Sequence, residues 1–138
     1  MRMAVLAAAA VLLAGTGAQA QEEIDVRPAS AAAESWLELV DTGRFGESWE
    51  RGAATFKSAI TRVAWETGVQ QARGMVGGLV KRKIRSARHA FTLPNAPEGE
   101  YVVIQNDVAF ENRPLAAETV TMMKQADGSW RVAGYFIH

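Results

Sequence analysis

The chain has 138 residues, with 15 lysines and arginines against 15 aspartates and glutamates, and no cysteine. That balance excludes a strong overall field toward nucleic acid or membranes, and the missing cysteine excludes disulfides, thiol catalysis, thiolate metal sites and lipid attachment at a cysteine. Stability must therefore come from packing, and a domain of this length buries about two-thirds of its unfolded surface, enough for one core.

Met1 and Arg2 open the chain with a short charged start, followed by an unbroken apolar run from Met3 to Ala14. Ala18-Gln19-Ala20 then forms an A-x-A cleavage pattern. This reads as a secretory signal peptide over residues 1–20, since the run is too short for a membrane span. The expected product is periplasmic or secreted, with no membrane insertion after cleavage. Gln21 to Pro28 is charged and aperiodic and is expected to be a disordered leader. Residues 29–138 are then one domain.

Ser30 is placed to cap a first helix, in which Ala32, Trp36, Leu39 and Val40 repeat at helical spacing and Gly43 ends the run. A second helix is expected from Arg44 to about Gly52, carrying Phe45 and Trp49, and Phe56 with Ile60 suggests a short further turn. Thr61 can cap a third helix whose stripe is Trp65, Val69, Ala72 and Val76, closed by Gly77-Gly78. After Gly78 the period becomes alternating. Four strands are expected, about Arg82 to Leu93, Glu100 to Phe110, Leu115 to Gln125 and Ser129 to Ile137. Pro94 to Gly99, Glu111 to Pro114 and Asp127-Gly128 supply turn chemistry between them, and such short loops favour an antiparallel meander. Helices first and strands afterwards mean α+β, with N-terminal helices on one face of a curved four-stranded antiparallel sheet. The expected core is Trp36, Trp49, Trp65, Val69, Ile104, Val108, Phe110, Val132 and Phe136.

A set of residues in this order also carries a family resemblance. They are Ser35-Trp36-Leu37, Leu39-Val40-Asp41-Thr42-Gly43, Glu47-Ser48-Trp49, Phe56-Lys57, Trp65, Arg73, Gly77 and Arg82. Pro94, Pro97, Gly99-Glu100-Tyr101, Phe110, Glu118 and the closing run Asp127 to Tyr135 follow. Together they resemble the exported bacterial domain-of-unknown-function family numbered 4019, over nearly the whole mature chain. The resemblance implies a cystatin-like or nuclear-transport-factor-like cone. Such cones host enzymes and binding modules alike, so it implies no activity.

Candidate chemistry is sparse. His89 and His138 lack a ligand pattern, so no metal and no cofactor is expected. Gly74 to Gly78 follows a helix rather than a strand, the wrong order for a phosphate cradle. Lys81, Arg82, Lys83, Arg85 and Arg88 crowd eight residues, and this reads as a solvated strand start rather than a nucleic-acid footprint.

A register can be drawn if Asp127-Gly128 is a two-residue turn, Phe110 opposes Leu115, and Leu93 opposes Glu100. One face then carries Phe91, Val102, Ile104, Val108, Phe110, Leu115, Met123, Val132 and Phe136, with His89, Asn106, Thr119 and Thr121 as its polar groups. These four are the ligand-pocket candidates. Arg88, Asp107 and Glu118 are expected as a surface ion cluster on the other face. The functional expectation is a non-catalytic binding or interaction module for a small apolar ligand or protein partner, with a homodimer left open. The alternative is a cone-fold enzyme of general acid–base type, with His89 or Asp107 as base and Tyr135 as donor.

Overall fold

The computed structural model describes residues 24–138, so the signal peptide expected over residues 1–20 lies outside the described residues. These residues form α1 (Arg27–Asp41), α2 (Phe45–Glu50), α3 (Ala54–Ala59) and α4 (Arg62–Val76), followed by β1 (Leu79–Ala90), β2 (Tyr101–Phe110), β3 (Arg113–Lys124) and β4 (Trp130–Ile137). The strands pair antiparallel in the order β1-β2-β3-β4. α1 lies over β4 and β3, α2 packs on α4 and α1, and α3 packs on β4.

Local chemistry accounts for the boundaries. α1 starts at Arg27, within the stretch expected to be a leader, because Pro28 in the first turn lacks only an N–H that the helix would leave unpaired anyway. Ser30 is therefore no cap, and its hydroxyl donates back to the Val26 carbonyl at 3.0 Å. Thr61 does cap α4, its Oγ1 accepting from the Ala64 N–H at 3.2 Å. α4 ends on Gly77 at φ 78°, a left-handed conformation that suits glycine. The chain then passes beneath the β2–β3 turn, where the Glu111 N–H donates to the Gly78 carbonyl and the Asn112 N–H to that of Val76, both at 2.9 Å. A Cβ on Gly78 would sit 2.2 Å from Glu111 Oε1. This tight passage lets β1 begin at Leu79, three residues before the expected Arg82.

The register differs from the expected one at all three turns, and at β1–β2 His89 opposes Val102 and Arg88 opposes Val103 rather than Ile104 and Gln105, a shift of two residues that keeps each side chain on its expected face. Phe110 opposes Arg113 across a two-residue turn, not Leu115 across four, and a bulge follows between Val108 and Phe110. Ile104 thus faces Val120 and Asn106 faces Glu118. Relative to β2, β3 is displaced by one residue from the expected pairing, which turns every β3 side chain to the opposite face. At β3–β4 the loop holds three residues, with the Gln125 N–H donating to the Ser129 carbonyl at 2.7 Å. A bulge between Thr121 and Met122 compensates, so Thr121 faces Gly134 and Thr119 faces Phe136 as expected.

Consequently Glu118, Val120 and Met122 are buried under the helices. Of the face expected to be covered, Leu115, Phe91 and Phe136 are instead exposed. One apolar cluster gathers Trp36, Leu37, Val40, Trp65, Val69, Val102, Ile104, Val120, Met122 and Val132, with Trp49 packed at its margin. Val76, Val108 and Phe110 form a second.

Candidate functional site

Between the two apolar clusters the inner face of the sheet turns polar. Asn106 stands between Ile104 and Val108 on β2, and Glu118 opposes it on β3. Each of the six longest elements sends one side chain to this place: Asp41 from α1, Arg73 from α4, Arg82 from β1, Asn106 from β2, Glu118 from β3 and Tyr135 from β4. Arg82 is the hub. Its Nη1 donates to Asp41 Oδ2 at 2.7 Å, its Nη2 to Asp41 Oδ1 at 3.0 Å and to Glu118 Oε2 at 3.3 Å, and its Nε to Glu118 Oε1. Arg73 Nη1 donates to Asp41 Oδ1 at 2.9 Å, while its guanidinium carbon lies 4.9 Å from the centre of the Phe110 ring. Asn106 Nδ2 and the Tyr135 hydroxyl both donate to Glu118, at 3.2 and 2.7 Å.

Two guanidinium groups meet two carboxylates, so the buried cluster is neutral, as a low-dielectric interior demands. Burial pushes the Asp41 carboxyl up, but Arg82 and Arg73 outweigh it and hold the group below the ordinary carboxylate range. Burial likewise works against the Arg82 charge, and the bonds to Asp41 and Glu118 more than restore it. Burial, then the Glu118 charge and hydrogen bond, push the Tyr135 hydroxyl well up, so it keeps its proton. Arg73 Nε is buried without an acceptor.

The Tyr135 ring is wedged between Trp36 and Trp65, with centroids at 5.3 and 6.4 Å. Ser48 locks these tryptophans. Its carbonyl accepts from Trp36 Nε1 and its hydroxyl oxygen from Trp65 Nε1, each at 2.9 Å, while the hydroxyl donates to the Phe45 carbonyl at 2.6 Å.

The family described as "Protein of unknown function (DUF4019)" matches residues 32–135. The chain belongs to this family. None of the curated proteins matches this DUF4019 chain. Among solved structures it is similar to a proposed ketosteroid isomerase from Shewanella frigidimarina NCIMB 400, with a TM-score of 0.53, 13% identity, and cover of 80% of this chain and 94% of that one. At that identity the likeness shows the fold alone, a cone of helices on a curved antiparallel sheet.

The expected site residues of this DUF4019 domain divide between places. His89 and Asn106 both take the helix side, but they stand apart. His89 opposes Val102, and Asn106 lies four residues further along β2, about 13 Å at strand rise. His89 Nε2 is 3.0 Å from Glu100 Oε1, and Lys124 Nζ is 3.7 Å from the other oxygen. Thr119 and Thr121 face outward, and Thr119 Oγ1 is 3.0 Å from His138 Nε2. The expected surface ion cluster is corrected likewise. Glu118 is fully buried, because the slip at Phe110 turns it inward. Asp107 stays outside and pairs with Arg85 rather than Arg88. Asp107 and Tyr135 thus occupy opposite faces of the sheet.

Asp41, Arg73 and Arg82 are absent from the expected site. Periodicity could not find them, since each looks like an ordinary surface charge. The available signal was the family resemblance, because Asp41, Ser48, Arg73, Arg82, Glu118 and Tyr135 are all among the residues that carry it. Beside the cluster opens a cleft of about 240 Å³ between α1 and the β1–β2 half of the sheet. Ala33, Leu37, Ile84 and Ile104 give it apolar walls, Arg82 and Asn106 its floor, and Ser30 and Glu34 its rim. Among the described residues no group of three or more His, Asp or Glu is placed to hold a metal.

Proposed function

We propose that this DUF4019 domain is an exported, non-catalytic binding module that takes a small apolar ligand, or an apolar side chain of a protein partner, in the cleft beside Arg82 and Asn106. One observation carries the reading. The ionisable groups of the cone interior are spent on one another, while the apolar-walled cleft next to them stays open. Proton transfer needs a base free to accept and a donor free to give. Here Glu118 already accepts from Arg82, Asn106 and Tyr135. Tyr135 holds its proton against Glu118, so the arrangement is a brace rather than an acid–base pair. Ile84 is half exposed at the cleft, which leaves an apolar contact for an incoming group.

The likeness to a proposed ketosteroid isomerase keeps the acid–base alternative worth one assay. The domain is expected to leave a β,γ-unsaturated ketone unconverted when the conjugated enone is followed by ultraviolet absorbance. The main experiment is native mass spectrometry of the protein purified from the periplasm of its own source. The expected result is a chain beginning at Gln21 that carries a small-molecule adduct, and an Ile84→Trp variant, which fills the cleft from its rim, that does not. Protein without an adduct, or an adduct retained by the variant, overturns the small-ligand reading. An intact Met1 overturns export.

A further inference from the structure

The outer face of the sheet, away from the helices, is built differently from the rest of the molecule. Lys83 lies opposite Asp107, Lys81 opposite Ala109 and Arg88 opposite Val103, while Arg85 reaches the outward Asp107. Asp107 is the one carboxylate in these rows. Among the described residues Lys81, Lys83 and Arg88 have no carboxylate partner, whereas Arg44, Arg51 and Arg62 on the helix side are all paired. The neutral total of the chain thus conceals a cationic plane.

The same plane exposes large apolar side chains. Leu115 is 94% exposed and Phe136 64%. A trough of about 590 Å³ crosses it, with Lys81, Lys83 and Arg85 along one wall, Ala109 and Ala117 in its floor, and Pro114 and Leu115 opposite.

We infer that this face docks on an anionic phospholipid surface, with the lysines and arginines at the headgroup phosphates and Leu115 and Phe136 in the acyl boundary. The charge complementarity is that of juxtamembrane basic clusters, and the interleaved apolar side chains are what an interfacial surface adds to it. A soluble polyanion would leave Leu115 and Phe136 in water. A second copy joined through the β1 half of the face would bring like charges together. No helix among the described residues is long and apolar enough to cross a membrane.

The test is co-sedimentation of the purified chain with vesicles of phosphatidylglycerol mixed into phosphatidylcholine, against vesicles of phosphatidylcholine alone. Binding is expected only to the mixed vesicles and falls with added salt. Lys81→Glu with Lys83→Glu weakens it more than about tenfold, since each basic residue near an anionic surface contributes measurably. Leu115→Ser weakens it as well, at unchanged salt dependence. All three positions are exposed, so the variants keep the fold, and circular dichroism checks this. Absent or equal binding to the two vesicle types overturns the inference. So does binding that Leu115→Ser leaves intact, which marks a plain polyanion site, or a salt-sensitive dimer, which marks a second copy as the occupant.

Discussion

Ser48 shows how much one small side chain can hold. It is fully buried, and two tryptophan N–H groups depend on it, one through its carbonyl and one through its hydroxyl. Ser48→Ala keeps the first bond and removes the second, leaving Trp65 Nε1 buried without an acceptor. An unsatisfied buried donor costs about 1–3 kcal/mol. A urea melt of the variant is expected to shift by that amount with an unchanged slope, and a shift near zero would show that Trp65 finds another partner. Glu118 is the harsher case. Glu118→Leu leaves Arg82, Tyr135 and Asn106 without their shared acceptor. Removing one partner of a buried ion pair costs about 3–5 kcal/mol, so the same melt is expected to lose that amount, a large share of the stability of an ordinary domain.

At the scale of elements, much of the architecture was legible. The change of period after Gly78, the caps and the turn residues are local signals, and they gave four strands in meander order. Pairing was not local. Whether the β2–β3 turn holds two residues or four depends on Glu111 and Asn112 fitting under Gly77 and Gly78, a contact between segments more than thirty residues apart. An error of one residue there carried Glu118 from the core to the surface and Thr119 and Thr121 the other way. At β3–β4 the loop length was also misread, yet the bulge near Ala133 cancelled the slip, so Thr121 met Gly134 after all. That bulge also separates Val132, which is buried, from Phe136, which is exposed, although alternation alone puts both on one face. The buried ion cluster was illegible to periodicity for the same reason, because its members come from six elements and share no spacing, and only the family resemblance marked them.

For the whole molecule the cluster sets a pH response. Asp41 is held below its ordinary value of 3.8. As pH falls, the unfolded chain takes up this proton first, so the contribution is present above that value and is lost as pH drops toward the folded one. Urea midpoints measured between about pH 5 and pH 2 should fall more steeply for the parent than for Asp41→Asn; parallel curves would remove Asp41 from the acid transition. The convergence of six elements on Arg82 has a further effect, on cooperativity. Many domains open piecemeal, with a helix peeling away at a fraction of the global free energy. Here a detached α1 would strip Arg82 and Arg73 of Asp41, and a detached α4 would remove Arg73 from both Asp41 and Phe110. An opening that detaches α1 or α4 thus exposes an imbalance of charge that complete unfolding relieves. The ion cluster thereby narrows the ensemble toward two states, the closed cone and the unfolded chain.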